Sequence, residues 1–279
     1  MNNQDLHIVQ LSDMHLRGDN SLSFRVVNTQ YWLDAAAAHL LTLARRPDAL
    51  VITGDLADSG DEHAYHLLRA ALEPLKIPIF AVPGNHDRRD RMRAIIGEWC
   101  PASPDMAPLL CGTSTIGDAL LVLLDTLEPG SHSGHCPPRM ADWLEHTLTR
   151  AAGRPVLVFM HHPPFITGMG AMDEPFEHQA ALEAVLRRHP QVRLCCGHMH
   201  RPIITQWAGC MALTAPSVSM QIDLDISPEG GDTFRMETPG YLLHHWNGQH
   251  WNTHVCQIPC TPSFSGPHPF VDSVNPHED

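Results

Sequence analysis

Six short apolar runs along the chain each end in a cluster of polar residues, and this repetition limits the fold more than any other feature of the sequence. LHIVQL (residues 6–11) runs into Ser12-Asp13-Met14-His15, ALVIT (49–53) into Gly54-Asp55, and IPIFAV (77–82) into Pro83-Gly84-Asn85-His86-Asp87. Leu120–Leu124 runs into Asp125-Thr126, VLVFM (156–160) into His161-His162, and VRLCC (192–196) into Gly197-His198-Met199-His200. Apolar runs this short, bounded by Gly and Pro, are the signature of buried strands. Between them, residues 26–46, 62–75, 139–152 and 177–188 have amphipathic helical character. Strand alternating with helix predicts an α/β domain. In such sheets ligands bind at the carboxyl ends of the strands, where all six polar clusters fall.

The last third changes character. Residues 203–208 and 210–215 read as two strands around Gly209, and residues 223–239, rich in Asp, Glu, Gly and Pro, as a long loop. Asn247-Gly248 between two β-prone runs in Tyr241–Val255 predicts a hairpin. Beyond Pro259 the Pro-rich tail is expected to be extended. Trp246, Trp251, Phe264 and Phe270 are apolar groups that a monomer would leave wet, so a homo-oligomer is expected.

With 279 residues, 43% hydrophobic and 18% charged, the chain has the composition of a globular protein able to bury a full core. No apolar stretch reaches the roughly 18 residues that suggest a membrane span. The first dozen residues lack the basic region and small-residue cleavage site of a signal peptide. A cytoplasmic protein is therefore expected, with most of its eight cysteines reduced and Cys256 and Cys260 as the one pair to test for a disulfide. The formal net charge of −13 repels nucleic acid and anionic membrane, whose binding runs on Lys and Arg. Neither is expected as a partner. A small phosphate-bearing substrate remains compatible with that charge, because bound divalent cations would offset it locally.

Read in order, the strand-end clusters offer Asp13 and His15, Asp55, Asn85 and His86, His161, and His198 with His200, in a chain containing 21 histidines. Residues two apart on a strand share a face, so Asp13 and His15, and likewise His198 and His200, are expected to point the same way. The two oxygens of Asp55 could bridge a pair of cations. The mixed oxygen and imidazole set suits Mn, Fe or Zn better than Mg or Ca. A single strand-end histidine is more often a packing residue than a ligand; eight candidate residues at successive strand ends favour a site.

These residues, in this order, resemble the calcineurin-like metallophosphoesterase superfamily, whose pattern is DxH, GD, GNH(D/E), H and GHxH, with no element missing. Within it, Arg46-Pro47-Asp48-Ala49, Phe159-Met160-His161-His162-Pro163-Pro164, Met172-Asp173 and Thr214-Ala215-Pro216-Ser217 are similar to class III cyclic-nucleotide phosphodiesterases and bacterial glycerophosphodiesterases. The resemblance implies an αββα four-layer sandwich, with a catalytic core over residues 1–220 and a C-terminal cap or oligomerisation segment, hairpin and tail, over 221–279. It implies two divalent cations, the first on Asp13, His15, Asp55 and His200, the second on Asp55, Asn85, His161 and His198. It further implies a phosphodiesterase in which a hydroxide held on the metals attacks phosphorus, with His86 assisting the phosphoryl oxygen or the leaving alkoxide. Small diesters, glycerophosphodiesters or 3′,5′-cyclic AMP, are the expected substrates. A phosphomonoesterase or a catalytically silent scaffold are the other readings.

Around that set, His162 is expected to support the site or, with Thr126, to touch substrate, Thr126 having a turn cap as its alternative. Asp87 is expected to orient a ligand. Cys195 and Cys196 are expected in the core. Arg88, Arg89, Arg91 and Arg93 are expected on a solvated helix face, with phosphate steering as the second reading.

Overall fold

The computed structural model describes residues 5–151, 153–227 and 233–259. Cys260, Phe264, Phe270 and the Pro-rich tail lie outside the described residues, as does the middle of the 223–239 loop.

Two sheets form as the sequence alternation requires. The first half runs β1 (Leu6–Leu11), α1 (Thr29–Leu41), β2 (Ala49–Thr53), α2 (Glu62–Leu72), β3 (Ile79–Val82) and α3 (Arg89–Ile96). β1, β2 and β3 are parallel neighbours, with Ile8 opposite Ala49 and Leu50 opposite Ile79. The second half runs β4 (Gly112–Ile116), β5 (Ala119–Leu123), α4 (Pro138–Arg150), β6 (Val156–Phe159), α5 (Gln179–Arg188), β7 (Arg193–Cys196), β8 (Ile203–Trp207) and β9 (Cys210–Thr214). β5, β6, β7 and β9 are parallel, and β4 and β8 close the edges antiparallel.

The strands are apolar on both faces because each sheet is covered twice. Val9, Leu11, Leu50, Ile52 and Ala81 pack outward on α1, α2 and α3. Val122, Val158, Leu194 and Ala212 do the same against α4 and α5. Between the sheets, Ile8, Val51 and Val82 meet Leu121, Leu157, Phe159 and Leu213. The result is the αββα sandwich. No helix among the described residues is long and apolar enough to cross a membrane.

Helix ends fall where a cap or a competing bond places them. Asn28 accepts from the Tyr31 N–H, so α1 begins after it rather than at Val26. The backbone of Glu177 is bonded to Gly134 and Cys136, which delays α5 to Gln179. β4 had no counterpart in the sequence reading: its Thr-Ser-Thr sequence alternates between exposed and covered positions on an edge, where no continuous apolar run is needed.

After a two-strand ribbon, β10 (Gln221–Ile222) with β11 (Phe234–Arg235), the chain returns as the hairpin β12 (Gly240–Trp246) and β13 (Trp251–Gln257). β12 lies antiparallel to β1, His244 opposite Ile8, so the hairpin widens the first sheet rather than standing apart from it. Trp251 is 8% exposed and its ring lies 5.4 Å from that of Trp246. The surface expected to be wet on Trp251 is therefore covered within the chain.

Within this apolar sandwich runs one buried polar line. His244 Nε2 stands 3.0 Å from Gln10 Oε1 and Nδ1 2.9 Å from Thr253 Oγ1, while Gln10 Nε2 donates to Thr53 Oγ1 and to the Cys196 carbonyl. Burial, with the Arg193 charge second, pushes the His244 ring down to about 3. The folded protein thus keeps the ring neutral while the unfolded chain protonates it near 6.5. Stability contributed by this group is full above that value and falls as pH drops from there toward 3, by up to about 1.4 kcal/mol per pH unit. His244→Asn should remove about one proton from the difference between urea-unfolding free energies at about pH 7 and about pH 5. An unchanged pH slope would show that the ring is protonated in the fold.

Candidate metal centre

Every strand-end cluster that carries an expected ligand lies where the carboxyl ends of the two sheets meet, but not by strand alternation. β1 stops at Leu11, and Asp13 and His15 take left-handed backbone, φ 56° and 49°. Asp55, His198 and His200 do likewise, at φ 50°, 69° and 51°. Each such residue turns its side chain in from a tight loop, a strained conformation for a residue bearing a Cβ. The loops are tied across by backbone: the Asp13 N–H donates to Gly54 O at 3.1 Å, His15 N–H to Asp55 O at 2.9 Å, and Gly197 N–H to His161 O at 2.9 Å.

Donor atoms of Asp13, His15, Asp55 and His200 lie within 4.8 Å of one another, and so do those of His161, His162 and His198. Asp55 stands between the groups, its Oδ2 3.6 Å from His15 Nε2 and 3.4 Å from His161 Nε2. Asn85 Oδ1 and His198 Nδ1 approach the same His161 nitrogen at 3.1 and 3.3 Å. The seven side chains expected to hold metal are thus gathered in one buried cluster, apart from the more open Asn85.

The hydrogen bonds at the back of the rings define what faces inward. His161 Nδ1 lies 2.7 Å from the Thr53 carbonyl and His200 Nδ1 3.0 Å from the Met220 carbonyl. A carbonyl only accepts, so those nitrogens carry the hydrogens and the neutral rings aim Nε2 lone pairs into the cluster. There His161 Nε2 faces Asp55 Oδ2 and Asn85 Oδ1, a place that a proton or a cation can fill, and the His200 lone pair meets His15 Nε2 at 3.0 Å. Asp13 Oδ2 and His162 Nε2 are buried with no hydrogen-bond partner. A pocket of acceptors with too few protons is what divalent cations fit, and the mixed oxygen and imidazole donors match transition metals.

Without a cation, a proton on His161 Nε2 answers part of that demand. Burial pushes the Asp13 carboxyl up to about 6 against the pull of His161. Burial also opposes ionisation of Asp55, but His161 and His15 hold its carboxyl well below the usual range. Burial works against a charged His161 as well, yet Asp55 and Asp13 raise the ring to about 9. Burial drives His198 down to about 3 and lowers His162 and His200 too.

Close approach explains the glycines. A Cβ on Gly54, whose φ is +87°, would fall 2.3 Å from His161 Nδ1, and one on Gly84 2.2 Å from Asp55 Oδ1. Asp87 binds these turns together, accepting from the N–H groups of Gly84, Leu56 and Ala57 and from the Tyr65 hydroxyl.

Two neighbours, Thr126 and Arg89, sit differently from their sequence reading, and two others carry no signal in it. β6 ends at Phe159, and the His161 and His162 rings both enter the cluster, 4.7 Å apart. Thr126 is fully buried and its hydroxyl lies 2.8 Å from His162 Nδ1, which makes it a support for that ring rather than a surface for substrate. Arg89 is not solvated: its guanidinium grips the buried Asp125 carboxylate at 2.6 and 2.8 Å. Asp58 was missed. Its Oδ1 lies 3.5 Å from His15 Nδ1, its carbonyl 2.7 Å from His86 Nδ1, and it pairs with Arg17. His132, whose Nδ1 faces Asn85 Nδ2 at 3.2 Å, was missed too. Neither lies at a strand end, so only their distance in space marks them. Cys195 and Cys196 are buried in β7, and Cys256 has no disulfide partner among the described residues.

A family model described as calcineurin-like phosphoesterase matches residues 6–202. The chain is 30% identical over 271 residues to an Arcobacter nitrofigilis protein named "Probable glycerophosphodiester phosphodiesterase GpdQ", covering 95% of this chain and 97% of that one. It is 32% identical over 248 residues to a cAMP/cGMP dual specificity phosphodiesterase of Mycobacterium tuberculosis, covering 86% and 76%. Among solved structures, a purple acid phosphatase from yellow lupin seeds shares the fold, with a TM-score of 0.59, 12% identity, and coverage of 94% of this chain and 57% of that one.

The Gly54 contact gives a direct test. Gly54→Ala should destabilise the fold by at least about 1–3 kcal/mol, the cost of a left-handed residue bearing a Cβ, and should displace His161. Urea unfolding and metal analysis of the purified protein would measure both; unchanged stability with unchanged metal content would contradict the close packing.

Proposed function

Because this chain belongs to the calcineurin-like phosphoesterase family, we propose that it hydrolyses small phosphodiesters, glycerophosphodiesters or 3′,5′-cyclic AMP, with two divalent cations as cofactors. The convergence of buried carboxylate, amide and imidazole acceptors on Asp55 carries this reading. Asp13, His15, Asp55 and His200 would hold one ion, and Asp55, Asn85, His161 and His198 the other; the donor set favours Mn, Fe or Zn. When bound, such a pair acidifies water and neutralises charge on the phosphoryl group.

The chain's own residues then do three things. Thr53 O and Met220 O fix the His161 and His200 rings with Nε2 inward. Asn85 keeps its amide oxygen toward His161 and its amide nitrogen toward His132. His86 donates Nδ1–H to the Asp58 carbonyl, which leaves Nε2 as the atom that takes up or releases a proton beside the cluster. Proton transfer by a positioned histidine contributes about 10²–10⁴-fold. A small recess beside His162 and His198 is lined by His132, Ser133, Met172 and Glu174. The names of the relatives support both substrate classes. A cytoplasmic setting fits the free thiols of the seven described cysteines.

Protein loaded with Mn2+ should turn over glycerophosphoethanolamine or cyclic AMP, and bis(p-nitrophenyl) phosphate faster than p-nitrophenyl phosphate. Asn85→Ala and His86→Ala should each lower that rate by about 10²-fold or more with the fold intact. A preference for the monoester, or a fully active Asn85→Ala protein, would overturn the assignment.

We also propose a homo-oligomer. Leu224, Ile226 and Met236, flanking the ribbon, and Ile166 are exposed apolar groups, a surface that self-association would cover. Sedimentation equilibrium should give a mass above 30.9 kDa; a monomer would refute this without touching the chemistry.

A further inference from the structure

Outside the catalytic cluster, imidazole and carboxylate groups converge again where two loops meet at the rim of the site. His135 lies in the loop between β5 and α4, and Glu177 and His178 end the loop between β6 and α5. The backbone pins these loops together: the Glu177 N–H donates to Gly134 O at 2.8 Å and the Cys136 N–H to Glu177 O at 3.1 Å. One donor atom each of His135, Glu177 and His178 lie within 4.8 Å of one another.

Hydrogen-bond chemistry says what this set lacks. His135 Nδ1 stands 3.1 Å from Glu128 Oε2. A carboxylate only accepts, so Nδ1 carries the hydrogen and Nε2 of the neutral ring presents a lone pair. That lone pair faces Glu177 Oε2 at 4.0 Å, and Glu177 Oε1 lies 3.7 Å from His178 Nε2. Acceptor faces acceptor across a short gap, an arrangement a cation relieves. A carboxylate behind an imidazole, as Glu128 stands behind His135, is also the pairing that orients metal-bound histidines. His178 occupies the position before α5 without capping it, so its ring is left to this cluster.

We infer that His135, Glu177 and His178 form a third metal site, selective for Zn2+ and independent of the catalytic pair. Two imidazoles and a carboxylate are a zinc donor set, and bonds of about 2.0–2.2 Å place tetrahedral donors about 3.4 Å apart. Glu177 and His178 have side chains 61% and 47% exposed, free to close that distance. The three ligands come from both loops, and the same loops bring His132, Ser133 and Glu174 to the recess beside His162 and His198. Zinc here staples the two walls of the recess and leaves the catalytic donors untouched.

The test counts metals. Mn2+-loaded protein is dialysed against Zn2+ raised through the micromolar range, and both metals are measured per chain by plasma mass spectrometry. The expected result is one zinc gained with no manganese lost, and that gain absent in His178→Ala and in His135→Ala. Hydrogen exchange in residues 128–136 and 165–178 should slow with zinc in the wild type alone. Zinc gained only by displacing manganese, or an extra zinc that survives both substitutions, overturns the site. A proton on His135 filling the gap instead would appear as no zinc uptake in any variant. Diesterase turnover of His178→Ala without added zinc should match the wild type, which shows that the variant is folded. The difference between wild type and His178→Ala counts this zinc whatever the catalytic positions hold.

Discussion

Too many lone pairs meet at one place: from that constraint the rest of the structure follows. Around Asp55, rings whose hydrogens are committed to backbone carbonyls aim their free nitrogens at carboxylate and amide oxygens. A buried polar atom left without a partner costs about 1–3 kcal/mol, and left-handed backbone at a residue with a Cβ costs a comparable amount. Five residues of the cluster adopt that backbone: Asp13, His15, Asp55, His198 and His200. Such a site persists only if the surrounding structure leaves it no alternative; a proton on His161 balances part of it, and divalent cations would complete it.

The sandwich provides that rigidity in layers. Parallel strands apolar on both faces hold the loop bases in fixed register. Asp87 gathers the N–H groups of the turns after β2 and β3 onto one carboxylate. Gly54 and Gly84 let those turns approach the His161 ring and the Asp55 carboxylate more closely than any side chain permits. From the far side, the polar line from His244 through Gln10 reaches the Thr53 hydroxyl, on the residue whose carbonyl orients His161. The C-terminal hairpin is therefore joined to the residues behind the site by interior hydrogen bonds as well as by extending the sheet.

How much of this was legible in the sequence depends on the length scale of the signal. Strands buried on both faces announce themselves as apolar runs, and the residue after each run is at the ligand-binding edge whatever the loop does next. The order of sheets and the αββα layering follow from that, with the motif resemblance. β4 was invisible because an edge strand with one covered face needs no such run. The direction of Asp13 and His15 was reasoned from strand alternation, but β1 ends two residues earlier and the loop backbone sets their direction. Arg89 departs from its reading for a related cause: its place depends on which buried carboxylate lies opposite, and that is not local in sequence. Asp58 and His132 have no motif at all.

The same reasoning says where discrimination between esters must reside. The donors around Asp55 are indifferent to what is esterified, since they address the phosphoryl group that all candidate substrates share. What differs is the alcohol, and the residues that line the recess beside His162 and His198, among them His132, Ser133, Met172 and Glu174, come from the loops after β5 and β6. These loops are tied to one another through Gly134, Cys136 and Glu177 rather than to the sheet. They touch the cluster at named points, His132 against the Asn85 amide and Thr126 against the His162 ring. A rigid phosphoryl site under a separately braced rim lets the rim differ where the phosphoryl donors do not, which is compatible with similarity to proteins named for glycerophosphodiesters and for cyclic nucleotides alike.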